Sequence, residues 1–241
     1  AKFRAARKLW AEIMRERFSV FNEKALYCRF HVQTGGSTLT ATQIENNVVR
    51  TTIQALSAVL GGAQSLHTNS KDEALALPSE NAAKLALRTQ QIIAMESGIT
   101  SYPDPFGGSY VIEELTKEFY DKAMHIIKEI DAIGGSIEAI HNGYIDNEIT
   151  RSAYEYQKEI ENKSKLIVGV NTHQTTEQEY QDLLDIDTKQ VKNQIANLKL
   201  AKSSRDNTKV KDSLDCLKKI AQSDENLMPH IIECVKFKCT L

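Results

Sequence analysis

The sequence predicts an α/β fold in which a parallel sheet is covered by helices. Three observations carry this. Strand-like runs alternate with long helical runs along the chain. Polar residues collect where the strands end, near His31, His67 and Asp104, spaced by about 36 residues. A βα unit of an eight-stranded barrel takes roughly 30. Double glycines close helical runs at Gly61-Gly62 and Gly134-Gly135. Three or four strands cannot close such a barrel. The pattern is therefore an open α/β sheet, or part of a (β/α)8 barrel completed by another segment.

The elements follow in order. Phe3, Leu9, Trp10, Ile13, Met14 and Phe18 share one helical face, which predicts a helix over 2–18. Residues 25–33, "ALYCRFHVQ", read as a strand ended by Gly35-Gly36. Residues 45–62 read as a helix and 64–69, "QSLHTN", as a second strand. A helix over 72–98 is interrupted at Pro78, where Ser79 caps a fresh start. On this reading Glu73 sits in the first helical turn, with Ser70 or Asp72 as the cap. Residues 100–109, rich in turn formers, are a short strand or loop. Long helical runs over 110–135 and 148–163 flank a smaller helix, and 165–171, "KLIVGVN", reads as a strand. After Asn171 the chain turns polar, with Leu, Ile and Val at helical spacing. It reads as two or three helices joined at 203–208 and 222–226. The predicted organisation is a partial barrel over 1–172 and a helical arm over 173–241.

Composition limits the function. The 241 residues are 41% hydrophobic and 26% charged, with a net charge of −2. That balance fits a soluble globular chain and gives no field drawing it to nucleic acid or anionic lipid. No apolar run approaches the roughly 20 residues that cross a bilayer, and no signal-peptide pattern is present. Four cysteines without CxxC spacing fit reduced thiols of the cytoplasm and no metal site. The first residue is Ala rather than Met, as expected for a processed chain or a fragment.

The motifs exclude more than they assign. There is no phosphate-binding GxxxxGK or GxGxxG loop, no HExxH helix and no Gly-x-Ser-x-Gly elbow. The strand ends instead gather neutral amides and hydroxyls. His31, Gln33 and Thr34 lie on one strand, and Gln64, His67, Thr68 and Asn69 on the next. Gly35-Gly36 follows a strand end, where a missing side chain lets backbone approach a flat ligand. Glu73 can accept two hydrogen bonds from a vicinal diol such as a ribose. A site rich in such groups and poor in acid–base pairs suits a cofactor that carries its own reactivity.

The stretch "RFHVQTGGSTLTATQIENNVVRTTIQALSAVLGGAQSLHTNSKDEALALP" closely resembles the barrel of the adenosylcobalamin-dependent acyl-CoA mutases, the methylmalonyl-CoA mutase family. The likeness continues through "DPFGGSYVIEELT" and "LIVGVN" and, more loosely, into "KLKLAKSSRD". It implies the C-terminal part of a (β/α)8 barrel from a large subunit, followed by the arm that precedes a cobalamin domain. It implies a radical mutase interconverting methylmalonyl-CoA and succinyl-CoA. Gln33 and Gln64 then take catalytic positions, Gln33 in the segment that approaches the corrin and substrate and Gln64 near the thioester and adenosyl group. Gly36, Glu73, Ala74 and Leu77 take adenosylcobalamin-binding positions, and His31 and Asn69 face the acyl-CoA. No D-x-H-x-x-G motif is present, so the lower axial ligand to cobalt comes from elsewhere. The implied partners are the N-terminal barrel portion and a cobalamin-binding domain or subunit, in a cytoplasmic oligomer.

One departure bears on substrate. Position 37 is Ser, where many members carry Trp. The "GGSTLT" form resembles archaeal-type subunits and the branched-acyl mutases acting on isobutyryl or 2-hydroxyisobutyryl groups. A rival reading of another class is a non-catalytic barrel fragment that docks through its sheet edge.

Overall fold

The computed structural model describes residues 1–176 and 183–240. Residues 177–182 and 241, part of the predicted arm, lie outside the described residues. The chain forms two compact units, Ala1–Leu184 and Asp185–Leu241.

The first unit opens with α1 (Lys2–Glu16), which buries Ala5 and Leu9. Phe3 stacks on Phe30 with ring centroids 5.1 Å apart, and the Trp10 indole N–H donates to the Ala25 carbonyl at 3.0 Å. A short helix, α2 (Glu23–Leu26), follows. Here the predicted strand over 25–33 is corrected. The Asn22 side chain accepts from the Lys24 N–H at 3.0 Å and caps a helical turn, leaving only β1 (His31–Gln33) extended.

Two βα units follow. α3 (Asn46–Leu60) crosses from β1 to β2 (Ser65–His67), and α4 (Glu80–Glu96) follows β2. The strands pair in parallel with His31 opposite Ser65, Val32 opposite Leu66 and Gln33 opposite His67. Parallel neighbours need such a crossover helix. α3 buries Thr51, Ala55 and Ala58, and α4 buries Ala82, Thr89 and Ile93, so small side chains let the two helices pack. Ser79 caps α4 by accepting from the Ala82 N–H at 3.3 Å. This is an α/β fold whose two strands are each paired on one edge among the described residues, consistent with the later part of a (β/α)8 barrel.

After α4 comes a 3-10 turn (Ile99–Ser101) and a looped segment, then α5 (Tyr110–Ile133), α6 (Ser136–His141) and α7 (Tyr144–Glu161). Gly134 ends α5 at φ +114°, a left-handed conformation that costs glycine nothing. α1 packs along α5. Arg4 pairs with Asp104 and, at 2.6 Å, with Glu113. The hydrogen bond to Asp104 raises the Arg4 pKa further. The Gly108 N–H, aided by Arg4, holds the Glu113 carboxyl below the usual range. The Tyr120 hydroxyl donates to Glu12, which pushes the phenol up to about 12.

The predicted strand over 165–171 is not a strand. Its main chain folds into a turn around Asn171, whose amide accepts from the Ile167 N–H at 2.7 Å and donates to Ile160 and Lys165 carbonyls. Thr42 and Arg50 take the Gly169 and Val168 carbonyls. With its polar groups met this way, the β-branched run has no ladder to join.

The second unit holds α8 (Thr188–Ser204), α9 (Asn207–Ile220) and α10 (Met228–Lys236). α9 packs on α10, burying Val210 and Cys234. Asp206 caps α9, accepting from the Thr208 and Lys209 N–H groups at 3.0 and 3.2 Å.

Candidate cofactor and substrate site

The site is built on the loops leaving β1 and β2. Gln33 closes β1 and donates through Nε2 to Asn69 Oδ1 at 3.0 Å. Thr34 follows. Its hydroxyl donates to the same Asn69 oxygen at 3.2 Å and accepts from the Asn69 N–H at 2.9 Å. Its own N–H donates to the His67 carbonyl at 3.1 Å. Asn69 is only 2% exposed. Its Nδ2 is one of the buried polar atoms that find no partner. An unmet buried donor costs about 1–3 kcal/mol, and among the described residues this one lies at a strand end, against Gly36.

Gly36 brings the two loops into contact. A Cβ there would fall 2.9 Å from Asn69 Nδ2 and 3.2 Å from Glu73 Oε1. Only a residue without a side chain lets the β1 loop lie against the Glu73 carboxylate. Glu73, Ala74 and Leu77 are exposed, Leu77 at 63%. They offer a carboxylate beside apolar surface.

Glu73 does not lie in a helix. Residues 71–77 form consecutive turns, and the helix starts at Glu80. The cause is Asp72, which is buried. Its carboxylate accepts from the Ser70 hydroxyl at 2.6 Å and from the Ser79 N–H at 3.0 Å. Its carbonyl accepts from the Leu75 and Ala76 N–H groups. Asp72 thus folds 70–79 into a closed loop and presents Glu73 from its rim. Sequence reasoning treated Asp72 as a helix cap. The Ser70-x-Asp72 spacing, which favours local turns over helix, was the available signal.

The structure groups Gln33, Gly36, Asn69 and Glu73 at the strand ends. His31 lies at the start of β1, with Nδ1 2.7 Å from the Ser65 hydroxyl, and shares an exposed sheet face with Gln33. Gln64 is not brought into the cluster. It precedes β2, where its Oε1 accepts from the Phe30 N–H at 2.8 Å and its Nε2 donates to the Gly62 carbonyl at 2.9 Å. Among the described residues no three His, Cys, Asp or Glu side chains converge as a metal site.

A βα pair with neutral amides, a close-approach glycine and a rim carboxylate marks the strand ends of this α/β protein as its candidate site. The family model described as methylmalonyl-CoA mutase matches residues 1–241; the chain belongs to the methylmalonyl-CoA mutase family. It is 45% identical to the 2-hydroxyisobutanoyl-CoA mutase large subunit of Aquincola tertiaricarbonis, over the whole of this chain and 43% of that protein. It is 44% identical to the mitochondrial methylmalonyl-CoA mutase of Bos taurus and 40% identical to the methylmalonyl-CoA mutase of Rhizobium meliloti (strain 1021), over 32% and 34% of those proteins. The chain thus spans less than half the length of these relatives.

Proposed function

We propose that this chain forms the corrin-facing loops of an adenosylcobalamin-dependent isomerase that interconverts methylmalonyl-CoA and succinyl-CoA. The convergence of Gln33, Gly36, Asn69 and Glu73 carries the reading. The unmet Asn69 donor, the close approach of Gly36 to Asn69 and Glu73, and the exposed Glu73 fit a polar cofactor laid over the strand ends. Glu73 accepts the two ribose hydroxyls of the adenosyl group. Ala74 and Leu77 lay apolar surface against the macrocycle. Gln33 and Asn69 orient the thioester by hydrogen bonds, and the His31 ring, steadied by Ser65, faces the coenzyme A arm. Gln64 serves as framework, since main chain occupies its amide. Bound adenosylcobalamin supplies the radical chemistry; the protein's part is orientation and exclusion of water.

The chain works with an N-terminal barrel portion and with a cobalamin-binding domain or subunit that supplies the axial ligand, in an oligomer. Residues 173–241 act as the arm toward that domain. The proposed compartment is the cytoplasm. Among the described residues no helix is long and apolar enough to cross a membrane. A second reading, a mutase of 2-hydroxyisobutyryl-CoA or isobutyryl-CoA, is favoured by Ser37, exposed beside Gly36, and by the 45% identity to the Aquincola subunit.

The test is turnover by the full-length protein with adenosylcobalamin, offered methylmalonyl-CoA and 2-hydroxyisobutyryl-CoA in parallel. Succinyl-CoA formation is expected, and the 241-residue chain alone is expected to be inactive. Conversion of the hydroxyacyl ester alone would move the assignment to the second reading. No cofactor retained and no ester converted would overturn both.

A further inference from the structure

We propose that Asn47, which carries none of the roles above, is a positioning residue that locks the β1 and β2 loops into one unit. The inference rests on reading both as ligand loops. Asn47 lies in the first turn of α3 and is 0% exposed. Its Nδ2 donates to the Thr40 carbonyl and to the Lys71 carbonyl, both at 2.9 Å. Its Oδ1 accepts from the Thr40 N–H at 3.1 Å and from Arg50 Nη1 at 2.8 Å. Every hydrogen-bonding position of this amide is used within the protein.

The two carbonyls belong to different loops. Thr40 lies four residues after Gly36, and Lys71 two residues before Glu73. At their tips the loops meet where Gly36 abuts Asn69 and Glu73. Where the loops leave the strands, Thr34 holds Asn69 directly; at their bases, Thr40 and Lys71, they meet through the start of α3. One base link is the Lys71–Glu45 pair at 2.6 Å, but the Glu45 side chain is 71% exposed and the pair is weak in water. Asn47 is the buried link between Thr40 and Lys71, and a buried amide that loses a partner leaves a carbonyl unmet at full cost. Together with the Gly36 contact and the Thr34–Asn69 hydrogen bonds it sets the Gly36 to Glu73 spacing. Asp at this position keeps the acceptor and loses both donations. A bridged pair of loops should also open together rather than singly.

The experiment is native-state hydrogen exchange on the full-length protein, read peptide by peptide. In the wild type, amides of 35–42 and 70–77 are expected to share one opening transition as denaturant rises. In Asn47→Asp, both should exchange about 10- to 100-fold faster, the equivalent of one unmet carbonyl in each loop. Amides of α5 and α7 should be unchanged. The variant's KM for adenosylcobalamin should rise with kcat kept, while Glu45→Gln changes neither. Separate opening of the two loops in the wild type overturns the proposal, even if Asn47→Asp does not fold. So does acceleration in one loop only, or spread evenly into α5 and α7. The exchange arms contain no cofactor. A wild type that never binds adenosylcobalamin would therefore sink the proposed function and leave this result standing.

Discussion

The strand-end region and the C-terminal helical unit use polar residues in opposite ways. Among the described residues, all nine buried polar side chains fall between Thr34 and Thr89. Among its described residues, the unit beginning at Asp185 buries only Val210 and Cys234 and keeps its polar groups at the surface, as at the Asp206 cap and Arg205. Burying polar groups costs free energy unless each is hydrogen-bonded, and repays that cost in fixed geometry more than in stability. On the proposed function, the cost accepted at Thr34, Asn69, Ser70 and Asp72 holds a shape for a ligand. The helical unit needs no such precision.

Asp72 and Asp206 put the difference to its strongest test. Each accepts a pair of hydrogen bonds near a helix start, but only Asp72 is buried. Asp72→Ala leaves the Ser70 hydroxyl and Ser79 N–H unmet and should cost about 3 kcal/mol. Asp206→Ala removes an exposed cap and should cost about 1 kcal/mol. Chemical denaturation of the two full-length variants measures this. Equal losses would mean that the strand-end loop is no more constrained than a surface cap.

Gly36→Ala comes next. The added methyl must displace Asn69, whose oxygen is held by Gln33 and Thr34, or push Glu73 aside. Overpacking of this kind costs about 1–3 kcal/mol. We expect a lowered Tm and a larger proportional loss of adenosylcobalamin affinity. Unchanged affinity would show that the close approach serves packing alone.

Acid should act on a third place, the α1–α5 contact, and more weakly. The Glu113 pKa is depressed by the Gly108 N–H and Arg4. A depressed carboxyl contributes stability that is present above its unfolded value and lost as pH falls through the folded one. The strand-end loop carries the Lys71–Glu45 pair, whose carboxylate is exposed and contributes little. Exchange of α1 amides should therefore rise below about pH 4 before that of 70–77. Simultaneous loss would contradict the assignment. At the alkaline end Tyr120 behaves inversely. Its raised pKa keeps its contribution intact below about 10 and loses it as pH rises toward about 12.

These contrasts also explain what could be read from sequence. The α/β rhythm, the parallel pair, the Ser79 cap and the clustering of Gln33, Asn69 and Glu73 follow from local patterns and were legible. Asn47 was not, because its partners Thr40 and Lys71 lie 7 and 24 residues away and only folding brings them together. One hint existed: Asn47 lies on the same buried stripe of α3 as Thr51, Ala55 and Ala58, where an apolar residue is expected. The 165–171 run was misread for a related reason. Its β-branched residues suit a strand, but Asn171 and Arg50 meet its main chain in another way. Pattern shows what a segment can become, and distant partners decide what it does.

The smallest expected effect on stability is the most informative for function. Glu73 sits exposed on the rim of the Asp72 loop rather than in a helix, so its charge has no helix dipole to serve. Among the described residues its side chain takes part in no hydrogen bond or ion pair that holds the loop closed; Asp72 does that work. Glu73→Gln keeps the size and one acceptor and removes the charge. Surface changes of this kind usually lie within about 0.5 kcal/mol, and thermal unfolding should be unchanged within that limit. Binding should behave otherwise. A charge-assisted hydrogen bond to a ribose hydroxyl is worth about 1.5–3 kcal/mol, so adenosylcobalamin affinity should fall about tenfold to a hundredfold. Hydroxocobalamin, which lacks the adenosyl group, should bind both proteins alike. Equal weakening of the two cobalamins would place Glu73 against the corrin instead of the ribose. A drop in Tm with both affinities intact would make it a structural residue, and the rim of the loop would then have to be read without a ligand.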